Sequence, residues 1–128
     1  MEKPQKTPAE LFAAQALASQ VKKELTENIL PYWMGKMIRP DGGIYGRIDG
    51  NEHLDQAAPV GNIMVARMLW TFASAYRLLG RQEYLDMALR AKGLIINNFY
   101  DHEFGGTYWS LASDGNPSDT KKQIYAIA

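Results

Sequence analysis

Cysteine is absent from the 128 residues, which rules out disulfides and thiolate metal centres. An excess of either charge is missing too: 14 acidic side chains balance 14 basic ones, with no block of like sign. Nucleic acid and anionic membranes both select for a basic patch, so neither is expected as a partner. The polar start Met1-Glu2-Lys3-Pro4-Gln5-Lys6 lacks the apolar core of a secretory signal. No later stretch is apolar and charge-free for long enough to span a bilayer as a helix. A soluble cytoplasmic protein is the expectation. Histidine is scarce, with only His53 and His102, both in loop-like stretches beside Glu52 and Glu103. There is no phosphate-cradling Gly loop, no Ser/His/Asp arrangement and no metal-ligand spacing.

What the chain has is a repeated glycine pattern. Gly42-Gly43-Ile44-Tyr45-Gly46-Arg47-Ile48-Asp49-Gly50 is echoed by Gly105-Gly106-Thr107-Tyr108-Trp109-Ser110, closed by Asp114-Gly115. Glycine supplies the positive φ of a tight entry, and Asp-Gly suits a two-residue hairpin turn. Each copy therefore reads as a β-hairpin, one displaying Arg47 and the other Tyr108. Their separation of about 63 residues marks a repeated unit.

Helices fill the spaces between. Thr7-Pro8-Ala9-Glu10 is a capping box with Pro at the first helical position. Leu11, Ala14, Leu17, Ala18, Val21 and Leu25 then recur at helical spacing, predicting an amphipathic helix with one buried side to about Asn28. Ile29-Leu30-Pro31-Tyr32-Trp33 breaks or redirects it. A second helix is expected from Pro59 to Leu79, stopped by Gly80 and apolar on nearly every face, as an interior helix would be. The third begins near Arg81, antiparallel to the second because the link is so short, with Glu83, Asp86 and Arg90 on its wet face. Ser118-Asp119 is expected to cap a fourth helix that starts at Thr120 and is still running at Ala128.

The order is outer helix, hairpin, inner helix, tight turn, outer helix, hairpin, inner helix. Long decorated links alternate with short ones, so both hairpins fall at one end. There Arg47 and Tyr108 would share a mouth. Repeats of this kind need about three copies to bury their faces. The expectation is therefore a single partial domain over residues 1–128, cut within its fourth helix.

Four motifs carry a resemblance: Gly42 to Asp49; Ala66-Arg67-Met68-Leu69-Trp70-Thr71-Phe72 with Ala75-Tyr76-Arg77; Gly105 to Ser110; and Asp119-Thr120-Lys121-Lys122-Gln123-Ile124-Tyr125-Ala126. In order and spacing, over residues 25–128, they resemble the cellobiose 2-epimerase branch of the N-acylglucosamine 2-epimerase family. The resemblance implies an all-α fold, here the N-terminal third of an (α/α)6 barrel. It implies reversible C2 epimerisation of the reducing-end glucose of cellobiose-like β-1,4 disaccharides through a cis-enediolate, with no metal or nucleotide cofactor. Arg47 corresponds to the family's Arg in Gly-Arg-Ile-Asp and would stabilise the enediolate oxygen. Tyr108 corresponds to the Tyr of Gly-Gly-x-Tyr-Trp and would contact the sugar. Trp109 is the weaker substrate contact and more suited to packing, since strand neighbours alternate faces. The family's catalytic histidines lie in later repeats, so these 128 residues alone are expected to be inactive. Val60 and Val65 stand where the family often carries a basic residue and an Asn.

Other readings stay open. Arg47 could be a solvated strand charge, and Arg67 could line a barrel or sit in a buried ion pair. Within the same chemistry, an N-acylglucosamine 2-epimerase or a mannose isomerase is the alternative. A glycoside hydrolase would require two carboxylates, for which Asp49 and Asp55 are candidates. A non-catalytic sugar-binding fragment is the reading from another class.

Overall fold

Thr7 opens the first helix as its sequence predicts. In the computed structural model, which describes residues 6–127, its hydroxyl accepts the Glu10 N–H at 3.3 Å and the Glu10 carboxylate accepts the Thr7 N–H at 2.7 Å. This reciprocal cap starts α1 (Pro8–Glu24). The chain then widens into a π turn at Leu25–Ile29 and continues as α2 (Leu30–Lys36). The passage through Pro31 is thus a redirection within a helix and not a break. The expected buried side of α1 is not found. No residue of α1 is buried, and Leu11, Leu17 and Val21 are exposed.

The described residues form two separate units, one ending at Lys36 and the other beginning at Met37. The second contains β1 (Arg47–Ile48), β2 (Leu54–Asp55), β3 (Val60–Gly61), α3 (Asn62–Leu79), α4 (Gln82–Leu94) with a π turn at Ile95–Phe99, β4 (Ser110–Leu111), β5 (Pro117–Asp119) and α5 (Ile124–Ile127). Its core lies between α3 and α4, where Val65, Met68, Phe72 and Ala75 meet Tyr84, Met87, Ala88 and Ala91. Gly80, at φ 70°, ends α3 in the left-handed conformation and lets α4 turn back at once. The tight antiparallel link is as predicted.

The hairpins differ from expectation in an informative way. Each Gly pair closes a single bridge, Ile38 with Ile44 and Tyr100 with Thr107, and the hairpin proper follows it. Arg47 pairs with Asp55 and Ile48 with Leu54, so the turn is the five-residue loop 49–53 and not Asp49-Gly50 alone. The Asp49 carboxylate holds that loop by accepting the N–H groups of Asn51 and His53, both at 2.8 Å. Such a local acceptor stabilises a longer turn than the dipeptide suggests. In the second copy Ser110–Leu111 pairs with Pro117–Asp119, and Gly115, at φ 87°, turns the intervening loop. The bridge and hairpin recur in the same order about 63 residues apart.

Four further expectations are corrected. The second helix begins at Asn62, because Val60–Gly61 forms β3 and pairs with Leu111–Ser110. Only one face of α3 is covered within this chain, leaving Trp70 73 % and Leu78 82 % exposed. Ser118–Asp119 belongs to β5, so it does not cap a helix from Thr120; α5 starts at Ile124, and Ala128 lies outside the described residues. Arg90 also leaves the wet face of α4. It donates to the Gly42 carbonyl at 2.6 Å, while Asp86 accepts from Gln82.

Candidate active site

Gly46 sets the position of Arg47. A Cβ on Gly46 would stand 2.1 Å from the Pro59 carbonyl oxygen and 2.9 Å from that of Ala58. The strand carrying Arg47 therefore lies directly against the backbone that becomes β3. Residue β3 pairing continues this contact, since Val60 and Gly61 join Leu111 and Ser110 of the second hairpin. Asn62 extends the link: its N–H donates to the Trp109 carbonyl at 3.0 Å and its side chain to the Thr107 hydroxyl at 2.8 Å. Through β3 the two hairpins meet at the end of the unit where α3 begins.

Arg47 is exposed there. The neighbouring Asp49 carboxyl is held below its ordinary range, first by the His53 N–H and further by the Asn51 N–H, the His53 ring and the Arg47 charge. Tyr45 is half-buried with the Arg39 guanidinium 5.3 Å from its ring centre, which suits a packing role.

Tyr108 and Trp109 are each half-buried and each faced by a lysine. Lys121 Nζ stands 4.6 Å from the Trp109 ring centre and Lys122 Nζ 5.9 Å from that of Tyr108. Lys122 also donates to the Asp101 carboxylate at 2.6 Å. Asp101, only 5 % exposed, accepts the N–H groups of Glu103 and Phe104, both at 3.0 Å. The Lys122 hydrogen bond, followed by that from Phe104, pulls the Asp101 carboxyl from 3.8 to about 2. Burial raises the Tyr108 phenol above its ordinary range, and the Asp101 carboxylate adds to this by its charge and as an acceptor.

A carboxyl depressed on folding contributes stability above its unfolded value and loses it as pH falls through the folded one. Replacing Asp101 with Asn is therefore expected to destabilise the protein by a constant amount down to about pH 4. The difference should shrink from there and vanish near pH 2, and urea unfolding of both proteins across that range measures it.

The other sequence candidates take turn-building roles. His53 faces Asp49 at 3.3 Å, and His102 meets the Ile96 carbonyl at 3.0 Å. Asp55 accepts the Ala57 N–H, and with Asp49 also engaged, neither carboxylate has the setting of a glycosidase acid. Arg67 is exposed and donates to the Tyr125 hydroxyl at 2.8 Å, so it is in no buried ion pair. No cluster of His and acidic groups among the described residues could hold a metal ion, and no helix among them is long and apolar enough to cross a membrane. Sequence reading missed Asn62, Asp101 and Lys122, because the contacts of Asn62 with Thr107 and of Lys122 with Asp101 join segments far apart in sequence and leave no local pattern.

A model of the N-acylglucosamine 2-epimerase family matches residues 43–128. A cellobiose 2-epimerase of Bacteroides fragilis is 58% identical over 114 residues, covering 88% of this chain, and one of Ruminococcus albus is 40% identical over 112 residues, also covering 88%. The chain spans 29% of the length of each of these relatives. Among solved structures, the cellobiose 2-epimerase of Spirochaeta thermophila matches with a TM-score of 0.85 at 34% identity, over 94% of this chain and 30% of that one. That of Bacillus thermoamylovorans matches at 0.83 and 36%, over 88% and 29%.

Proposed function

This chain belongs to the N-acylglucosamine 2-epimerase family, and from that premise we propose that the protein it forms part of epimerises carbon 2 of the reducing-end glucose of cellobiose-like β-1,4 disaccharides. The observation that carries this is the 58% identity to a cellobiose 2-epimerase across 88% of the chain. In this reading the chain supplies about the first third of an (α/α)6 barrel. The exposed Trp70 and Leu78 of α3 suit a helix that the remaining repeats would cover.

The reaction opens with the sugar as its free aldehyde. A base removes the proton at carbon 2, the electrons shift onto the carbonyl oxygen, and a cis-enediolate results. A proton is then returned to the opposite face, giving the mannose epimer. Groups with a pKa near neutrality suit both transfers, and imidazoles have it. In this reading His53 and His102 keep their loop contacts and the acid–base histidines come from the rest of the protein. Arg47 supplies a fixed cationic donor to the oxygen that gains charge. Tyr108 contacts the sugar, with Trp109 packing beside it. Neither metal nor nucleotide enters the reaction.

The test is product identification with the full-length protein. Cellobiose should give glucosyl-mannose, while N-acetylglucosamine and mannose remain unchanged under the same conditions. Conversion of N-acetylglucosamine to its 2-epimer in place of cellobiose would transfer the function to that substrate.

A further inference from the structure

Tyr108 has a fixed backbone, with its N–H donated to the Phe99 carbonyl at 2.9 Å. What remains free is the direction of its ring, and two residues from distant segments restrict that. Asp101 follows the end of α4, while Lys122 lies in the link between β5 and α5. We propose that the Asp101–Lys122 ion pair is the positioning device for Tyr108, holding its ring at the mouth and so setting the affinity of the site for the sugar. The proposal rests on the reading of Tyr108 as a sugar contact.

The geometry supplies each part of the device. Asp101 is tethered by its hydrogen bonds: its N–H donates to the Gly106 carbonyl, its own carbonyl accepts from Gly105, and one carboxylate oxygen takes the Glu103 and Phe104 N–H groups. The other oxygen accepts from Lys122 at 2.6 Å. Held there, the ammonium stands 5.8 Å from the Phe104 ring centre and 5.9 Å from that of Tyr108. A cation at this range attracts the face of an aromatic ring. Lys122 keeps 30 % of its side chain exposed while that of Asp101 keeps 7 %, so the cation of the pair reaches the surface from a buried anchor. A purely structural ion pair tying the entry of α5 to the second hairpin is the competing account.

The two accounts separate in the full-length protein. Lys122→Met should raise KM for cellobiose about 10-fold with kcat changed less than about 3-fold, and Lys122→Arg should restore most of the loss. In a Tyr108→Ala background the same Lys122→Met change should have less than about a 2-fold effect, because the ring to be positioned is gone. An independent readout is the fluorine resonance of 3-fluorotyrosine at position 108, assigned by its loss in Tyr108→Phe. It should shift in Lys122→Met and return in Lys122→Arg. An unmoved resonance, or an equal KM effect with and without Tyr108, overturns the proposal. A Tyr108→Ala enzyme with unchanged KM sinks the sugar-contact reading and with it the effect on affinity. The resonance then still decides whether the pair anchors the ring.

Discussion

Replacing Arg47 with Gln in the full-length protein should lower kcat for cellobiose epimerisation by about 10²–10³-fold while leaving KM within a few-fold. Charge appears on the sugar oxygen only as the proton leaves carbon 2, so a cation aimed there acts on the transition state more than on bound sugar. Arg47 is suited to this by position. It is exposed on a strand whose neighbour Gly46 is pressed against the Pro59 carbonyl, and it pairs in register with Asp55. Gln keeps a hydrogen-bond donor but loses the charge. Arg47→Lys keeps the charge but loses the planar fork, and should fall between the two. Steady-state kinetics on the three proteins measures this. A loss of under about 3-fold in Arg47→Gln would make Arg47 a solvated strand charge.

The second large effect is expected one residue earlier. In Gly46→Ala the new Cβ would lie 2.1 Å from the Pro59 oxygen and 2.7 Å from its carbonyl carbon. Both are backbone atoms, and they cannot easily retreat, because Val60 and Gly61 next along the chain are paired with Leu111 and Ser110. Overpacking of this kind costs at least about 1–3 kcal/mol. Relief requires either the Arg47 strand or β3 to move, and both routes displace the site. Gly46→Ala should therefore lose stability in urea unfolding and lose activity about as heavily as Arg47→Gln. Gly50→Ala is the control, since nothing lies within 4 Å of a Cβ there. Its stability and kinetics should match the parent protein. A Gly46→Ala protein with parental activity would mean that the close approach to Pro59 does not set the position of Arg47.

The features legible in the sequence are those with a local cause. The Thr7–Glu10 box, the Gly80 stop and the short turn to α4 each involve residues within a few positions of one another. The repeat was legible because bridge and hairpin recur at one spacing. Features decided at a distance were not. Val60 and Gly61 look like the start of a helix until Leu111 and Ser110 arrive to pair with them. Asp86 and Arg90 have the spacing of a helix-surface pair, yet the Gly42 carbonyl takes Arg90 instead. The length of the first hairpin loop was hidden because the Asp49 carboxylate, and not its dipeptide with Gly50, shapes the turn. For the site, Arg47 and Tyr108 stood out through their motifs, whereas nothing near Asp101 or Lys122 announces the contact between them.

Proton transfer at carbon 2 is the centre of the account, and running the full-length protein on cellobiose in deuterium oxide tests it most directly. Nuclear magnetic resonance should show glucosyl-mannose carrying deuterium at carbon 2 of the reducing-end sugar, with the same label appearing in recovered cellobiose as the reaction reverses. Product formed with the original proton wholly retained at carbon 2, or label absent from that position, would contradict removal and return of the proton through an enediolate.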